Sequence, residues 1–349
     1  MKKFAHTSPT KSWILVISLL LMLSFNSCHY LQDRFGSKKQ SSESAFIVPQ
    51  ISESDYRVKN NVQHRELLSL GDKEFEQLYN RGAYLANSVS ACGYCHSSPN
   101  SSLEEINLSG GKSVSTRKGL VTASNITPEL ETGIGRWSVS NVVDAIRLSK
   151  NRDGVSFSKD VHDGFNWMSD VDSRSIAIYI LSQQPVKRID ISSSKAISAG
   201  VFGFLEPDAN AGFIPGISQA VTVDWGRYLA HNVARCESCH TPEPGMFSKK
   251  ESFSGRSTSS SFISRLNPFV SADKNSSESD IVGNRAGPDI RGSSEQGISR
   301  WKEEDIVSYL STGEDPAGLK IRPENCPWSY YKNMNQTDKS AIAKYLKSI

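Results

Sequence analysis

Apolar residues recur at helical spacing in two separate stretches of the chain, 75–89 and 225–233. Each predicts an amphipathic helix with one face toward a core. Shorter stretches at 140–148 and 304–310 read as further helices, and two more begin after Ser169 and Asn335, with Ile176, Ile180, Ile342 and Leu346 on the buried face. Period-two alternation is weak throughout, so the pattern predicts an all-α chain. Two regions lack either period. Residues 185–220 are rich in Ser, Gly and Pro and read as a long linker, and residues 248–279 form a serine-rich insertion.

The predicted helices come in two matching sets. Gly82-Ala-Tyr-Leu-Ala-Asn-Ser-Val89 corresponds to Gly226-Arg-Tyr-Leu-Ala-His-Asn-Val233, and Gly133-Ile-Gly-Arg-Trp137 to Gly297-Ile-Ser-Arg-Trp301. Later, Met168-Ser-Asp-Val-Asp172 with Ile176 and Tyr179 corresponds to Met334-Asn-Gln-Thr-Asp338 with Ile342 and Tyr345. Three blocks in one order imply a fold used twice. The expected organisation is a signal segment at 1–27, a tether at 28–70, one domain at 71–187, a linker at 188–220 and a second domain at 221–349 carrying the insertion at 248–279. A chain of 349 residues suits two such domains with a leader.

Residues 13–25 form a largely apolar run behind Lys2, Lys3 and Lys11, as in an export signal. The run is short for a membrane span. It leads through Asn26 and Ser27 to Cys28, which resembles the box where bacterial lipoproteins are cut and acylated. The alternative is an ordinary signal peptide with Cys28 discarded. Either reading places the protein outside the cytoplasm, and lipidation at Cys28 would anchor it on the periplasmic side of a membrane. The net charge of +3 is spread along the chain with no basic run bearing interleaved aromatics, which argues against nucleic acid as a partner.

Cysteine supplies the chemistry. Cys92-Gly-Tyr-Cys95-His96 and Cys236-Glu-Ser-Cys239-His240 both read C-x-x-C-H, the attachment sequence of c-type haem. Two thiols three residues apart lie on one face of a helical turn, where they can add to the two porphyrin vinyl groups, and the next residue projects an imidazole beneath the iron. Cys92, Cys95, Cys236 and Cys239 are therefore candidate covalent haem anchors, and His96 and His240 candidate proximal ligands. One zinc ion shared by both pairs, or a disulfide in each, are the alternatives. Neither accounts for a histidine directly after both pairs. The tryptophans Trp137 and Trp301 stand either near a haem edge or in simple core packing.

Asn125-Ile-Thr-Pro128, Thr132-Gly-Ile-Gly-Arg-Trp137, a helix, a Gly-containing loop and a Met-Ser-x-x-Asp helix ending before Gln183-Gln-Pro-Val186 resemble the multihaem cytochrome c subunits of membrane-bound alcohol, aldehyde and gluconate dehydrogenases. The resemblance covers residues 75–187 and 221–349. It implies two tandem cytochrome c domains, each with one haem c, that relay electrons from a dehydrogenase catalytic subunit to quinone or to another cytochrome. No quinone site is legible.

The resemblance further implies a methionine as second axial ligand, about nine residues before the last helix of each domain. Counting back from Ser169 and Asn335 gives Asp160 and Cys326 instead, and Cys326-Pro-Trp328 resembles the family's Met-Pro-Trp with the ligand replaced. Cys326 is either a thiolate ligand that would lower the potential or a free thiol beside the haem. His162, two residues from Asp160, is either a second imidazole on the first iron or a solvated loop residue. Met168 and Met334 are alternatives that their place at a helix start assigns to the core, and His64 and His231 read as surface residues. Two functions follow. One is electron transfer by a dihaem cytochrome. The other is a haem enzyme or sensor of peroxide, a sulfur species or a diatomic gas, working at an iron with a weak sixth ligand.

Overall fold

The computed structural model describes residues 70–99, 101, 106–116, 119–157, 161–188, 212–242, 251–256, 281–282, 287–323 and 325–349. The export segment, Cys28, His64, Asp160, Met246 and most of the linker and of the insertion lie outside that set.

Each copy of the repeat opens with a helix whose apolar stripe turns inward. Helix α1 (Asp72–Tyr84) passes without a break into one π-helical turn, Leu85–Val89, and then into α2 (Cys92–His96). Asp72 and Glu74 in its first turn and Arg81 in its last suit the helix dipole. After α3 (Val139–Leu148) comes α4 (Asp170–Leu181). The second copy repeats this order with α5 (Val223–Tyr228), a π-turn at Leu229–Val233, α6 (Glu237–His240), α7 (Glu303–Thr312), the short α8 (Trp328–Tyr331) and α9 (Gln336–Ser348). Helix starts are set by side-chain caps: Ser169 accepts from the amide of Asp172, Asn335 from that of Asp338, and Ser138 forms a reciprocal box with Asn141.

The first and last helices of each copy cross at a glycine. A methyl group on Gly82 would lie 1.9 Å from the carbonyl oxygen of Ser175, and one on Gly226 would lie 1.9 Å from that of Ala341. No side chain fits there, so both glycines are demanded by close approach of α1 to α4 and of α5 to α9. Around these crossings Leu85, Ala86, Val89, Ile176, Ile180, Leu229, Ala230, Val233, Ile342 and Leu346 are buried.

The chain is mostly helical, with a few short strands that the weak alternation did not predict. Strands β1 (Ser113–Thr116) and β2 (Gly119–Thr122) form an antiparallel hairpin, with Val114 opposite Val121. Strand β3 (Ser254–Arg256), inside the serine-rich insertion, pairs with β5 (Gly287–Asp289), and β4 (Ile281–Val282) runs parallel to β1. These ribbons carry the loops that face the two motif helices. Among the described residues no helix is long and apolar enough to cross a membrane.

The two copies share one continuous apolar core and are joined by a reciprocal polar contact. The hydroxyl of Tyr84 donates to Asp338 (2.6 Å) and accepts from the amide of Asn335 (3.1 Å), while that of Tyr228 donates to Asp172 (2.7 Å) and accepts from the amide of Ser169 (3.1 Å). Each copy thus lends its tyrosine to the other copy's helix-start aspartate. The aspartates are held within their own copies as well: Asp172 by a two-bonded pair with Arg81 (2.8 and 3.0 Å), Asp338 by the indole N–H of Trp225 (2.7 Å). These carboxylates are buried, and each has enough donors to offset its desolvation.

Candidate haem sites

In both copies a non-glycine residue in the left-handed region, Ala91 (φ 51°) or Arg235 (φ 56°), turns the chain from the π-helical turn into the motif. Such a conformation costs roughly 1 kcal/mol or more and persists where its surroundings hold it. The turn that follows brings the two sulfurs and the histidine to one side. None of the five described cysteines is disulfide-bonded. Among the described residues no group of three or more His, Cys, Asp or Glu converges on a point that could hold a metal ion, so the two C-x-x-C pairs do not form a shared zinc site.

The two motif histidines are oriented identically. Nδ1 of His96 is 2.8 Å from the carbonyl oxygen of Ser124, and Nδ1 of His240 is 2.7 Å from that of Pro288. A carbonyl only accepts, so Nδ1 carries the proton and Nε2 is left with a lone pair. This is the arrangement by which a second contact fixes the tautomer of a metal-ligating histidine. Beside the second ring, a methyl on Gly287 would fall 2.7 Å from Nδ1 of His240, so the backbone packs flat against the imidazole. Burial lowers the pKa of both histidines, which favours the neutral, ligating form.

The thiols share this environment. Burial pushes Cys92, Cys236 and Cys326 up to about 12, with neighbouring sulfurs adding to the effect: Cys95 for Cys92, Cys326 and Cys239 for Cys236, Cys239 for Cys326. Yet they, like His96, His162 and His240, keep part of their surface uncovered. Side chains ringed by protein but still partly uncovered line the wall of a pocket. Both pockets therefore fit a flat, largely apolar group anchored at one edge by two sulfurs and ligated by one imidazole.

On the far side of these pockets the copies differ. In the first, His162 is enclosed by Phe157 and Phe165 (ring centres 5.4 and 5.7 Å away), with its own Nδ1 2.7 Å from the carbonyl oxygen of Ala145. Its ring centre lies 6.4 Å from that of His96. Burial, then the positive charge of Arg235, depress its pKa to about 3, so it is neutral, with the lone pair again on Nε2. In the second copy the repeat-matched residue is Trp328, which donates to the carbonyl of Ile321 (2.8 Å) and lies over Gly313, where a methyl would be 2.4 Å from the indole ring. Cys326 stands near Cys239 and Tyr309.

Other expected residues are placed as follows. Met168 and Met334 are buried in the core, and Trp137 and Trp301 are half-buried against it. His231, read as a surface residue, is instead half-buried: Nε2 is 2.6 Å from the Tyr345 hydroxyl, Nδ1 is 2.8 Å from Glu237, and the ring meets Phe253 edge-on. Its place on the π-helical turn brings it against Tyr345 and Phe253. Arg235 was not singled out by the sequence. It donates to the carbonyl of Asp163 (2.5 Å) and lies 4.6 Å over the ring of Phe165, so the second copy delivers a cation to the first copy's pocket. Tyr330, again from the second copy, meets Tyr94, inside the first motif, edge to face at 6.4 Å. The two pockets thus meet across the joint between the copies.

The chain resembles the cytochrome c subunits of dehydrogenases. It is 26% identical over 283 residues to the fructose dehydrogenase cytochrome subunit of Gluconobacter japonicus, covering 77% of this chain and 52% of that protein. It is 27% identical over 296 residues to the gluconate 2-dehydrogenase cytochrome c subunit of Pantoea cypripedii, with coverages of 80% and 61%. A dihaem c-type cytochrome of Cereibacter sphaeroides is 23% identical over 281 residues, 74% of this chain and 81% of that protein. The chain spans about half the length of the fructose and alcohol dehydrogenase subunits it matches. No family model matches it.

Proposed function

We propose that the chain is a dihaem c-type cytochrome of the bacterial envelope that relays electrons for a dehydrogenase. The observation that carries this reading is the pair of C-x-x-C-H turns with both imidazoles set by the same carbonyl contact, at Ser124 and at Pro288. Cys92 and Cys95 hold one haem and Cys236 and Cys239 the other, with His96 and His240 as proximal ligands, in two tandem cytochrome c domains. Each haem supplies a one-electron ferric/ferrous couple. The protein residues exclude water from the pockets, keep each imidazole neutral and correctly turned, and bring the two pockets against one another. Cys326, which stands near Cys239 and Tyr309, would hold the second iron from the far side. The resemblance to cytochrome subunits of fructose, alcohol and gluconate dehydrogenases supports a dehydrogenase catalytic subunit as electron donor. Export through residues 1–27, with lipidation of Cys28 as the membrane anchor, completes the reading.

The purified chain is expected to carry two covalent haems c by pyridine haemochrome assay and to titrate as two one-electron steps. Membranes holding it should reduce those haems when given ethanol, gluconate or fructose. A chain with fewer than two covalent haems overturns the reading, and membranes in which none of these substrates reduces the haems remove the dehydrogenase partner. Carbon monoxide uptake by the reduced second site, with turnover of peroxide, would favour the enzyme or sensor function, because only a weakly held sixth position admits such ligands.

A further inference from the structure

We propose that His162 is the sixth ligand of the first iron, so that the haem on Cys92 and Cys95 is held between two histidines and is closed to outside ligands. The inference deepens the haem reading above and rests on it.

Three features of the first pocket converge. Metal–imidazole bonds of about 2.0 Å and the half-width of each ring put the centres of two imidazoles on opposite sides of one ion roughly 6 Å apart; those of His96 and His162 are 6.4 Å apart. Both rings are fastened by the same atom to a backbone carbonyl, His96 to Ser124 and His162 to Ala145. Each must therefore offer Nε2 as a lone-pair donor, and among the described residues no hydrogen bond engages that atom of either ring. A histidine kept in the interior only for packing has no need to leave its one acceptor nitrogen unsatisfied beside a second histidine in the same state.

The surroundings of His162 make it a fixed ligand. Phe157 and Phe165 clamp the ring from two sides, and Arg235 from the second copy lies over Phe165 and ties the loop down through the carbonyl of Asp163. Gly164, at φ 98°, lets the loop approach the second copy so closely that a methyl there would be 2.7 Å from the carbonyl oxygen of His231. The ligand loop of the first haem is thus held in part by the second copy. No equivalent is possible on the other side, where Trp328 occupies the matching position and turns away to Ile321.

The test uses the whole chain with both haems. His162→Ala is expected to turn one of the two haems from low-spin to high-spin in electron paramagnetic resonance, and the reduced variant to bind one more carbon monoxide per chain than the parent. Added imidazole should restore the low-spin signal. A variant with two covalent haems, an unchanged spectrum and unchanged carbon monoxide uptake overturns the assignment while leaving the haem reading intact; a parent chain without two covalent haems overturns both. Should the alanine variant not accumulate, His162→Met keeps the volume and a ligand, and is expected to remain low-spin with a higher midpoint potential for one haem only. Unchanged midpoints in that variant also overturn the proposal.

Discussion

The far sides of the two pockets differ where their near sides match. Both are entered by the same hairpin, in which Lys150 bridges Ser156 in one copy and Glu314 bridges Lys320 in the other, and an Asn or Asp side chain organises the turn. Beyond it the first copy turns His162 inward between two phenylalanines. The second copy has two more residues between its hairpin and the matching position, and places Trp328 across Gly313 at the end of α7. Ser149 occupies the matching left-handed position in the first copy, where no indole needs the space. The pocket floor was therefore kept and its lid rebuilt. The difference teaches that two sites whose motif histidines make the same carbonyl contact, at Ser124 and at Pro288, meet unequal surroundings on their far sides.

The comparison can be broken at its common part first. Gly82→Ala and Gly226→Ala each drive a methyl into a carbonyl oxygen at 1.9 Å, and each is expected to cost at least about 3 kcal/mol, read as loss of soluble, haem-loaded chain. One variant tolerated and the other not would show that the crossings are unequal. Next, Cys326→Met should restore the family's ligand and raise the second haem's midpoint by on the order of 0.1 V, within the roughly 0.8 V that axial ligands span. Spectroelectrochemistry with an unmoved second wave would remove Cys326 from the iron.

Smaller effects probe the joint between the copies. Tyr84→Phe and Tyr228→Phe each remove a hydrogen bond to a buried carboxylate, expected to cost about 1.5–3 kcal/mol in a thermal melt. Tyr228→Phe should be the milder of the two, because Asp172 keeps the Arg81 cation, whereas Asp338 is left with only the neutral donors of Trp225 and Gln219. The reverse order would mean that the apparent symmetry of this contact hides a different balance of charge. Least of all, Lys320→Ala removes a cation 5.1 Å over the Trp328 ring and should cost no more than about 0.5–1 kcal/mol, with both midpoints unchanged. A shift of either midpoint would place Trp328 closer to a haem than to its helix end.

Most of what repeats was legible along the chain. The helix starts at Ser169 and Asn335, the buried faces of the last helices, and the positions of α3 and α7 all emerge where hydrophobic spacing and capping residues put them, because those are properties of neighbours within a few residues. The π-helical turns at Leu85–Val89 and Leu229–Val233 were not legible. His231, on the second of them, was read as a surface residue, because its partners Tyr345 and Phe253 come from distant stretches of the chain. Arg235, Tyr84 and Tyr228 were missed for another reason: each acts on the copy it does not belong to, and no local pattern marks such a residue.

By itself the sequence determined the two C-x-x-C-H turns and the internal repeat, because the motifs and the matched blocks are local patterns read from spacing alone. It also narrowed the far-side residues to His162 and Cys326 without choosing between ligand and bystander. Only the tertiary structure decided which nitrogen each histidine offers, how far His162 stands from His96, and that the two pockets abut. Those depend on backbone carbonyls at Ser124, Ala145 and Pro288 and on side chains from the opposite copy, groups brought together by packing across long stretches of chain and carrying no mark in the residues beside them.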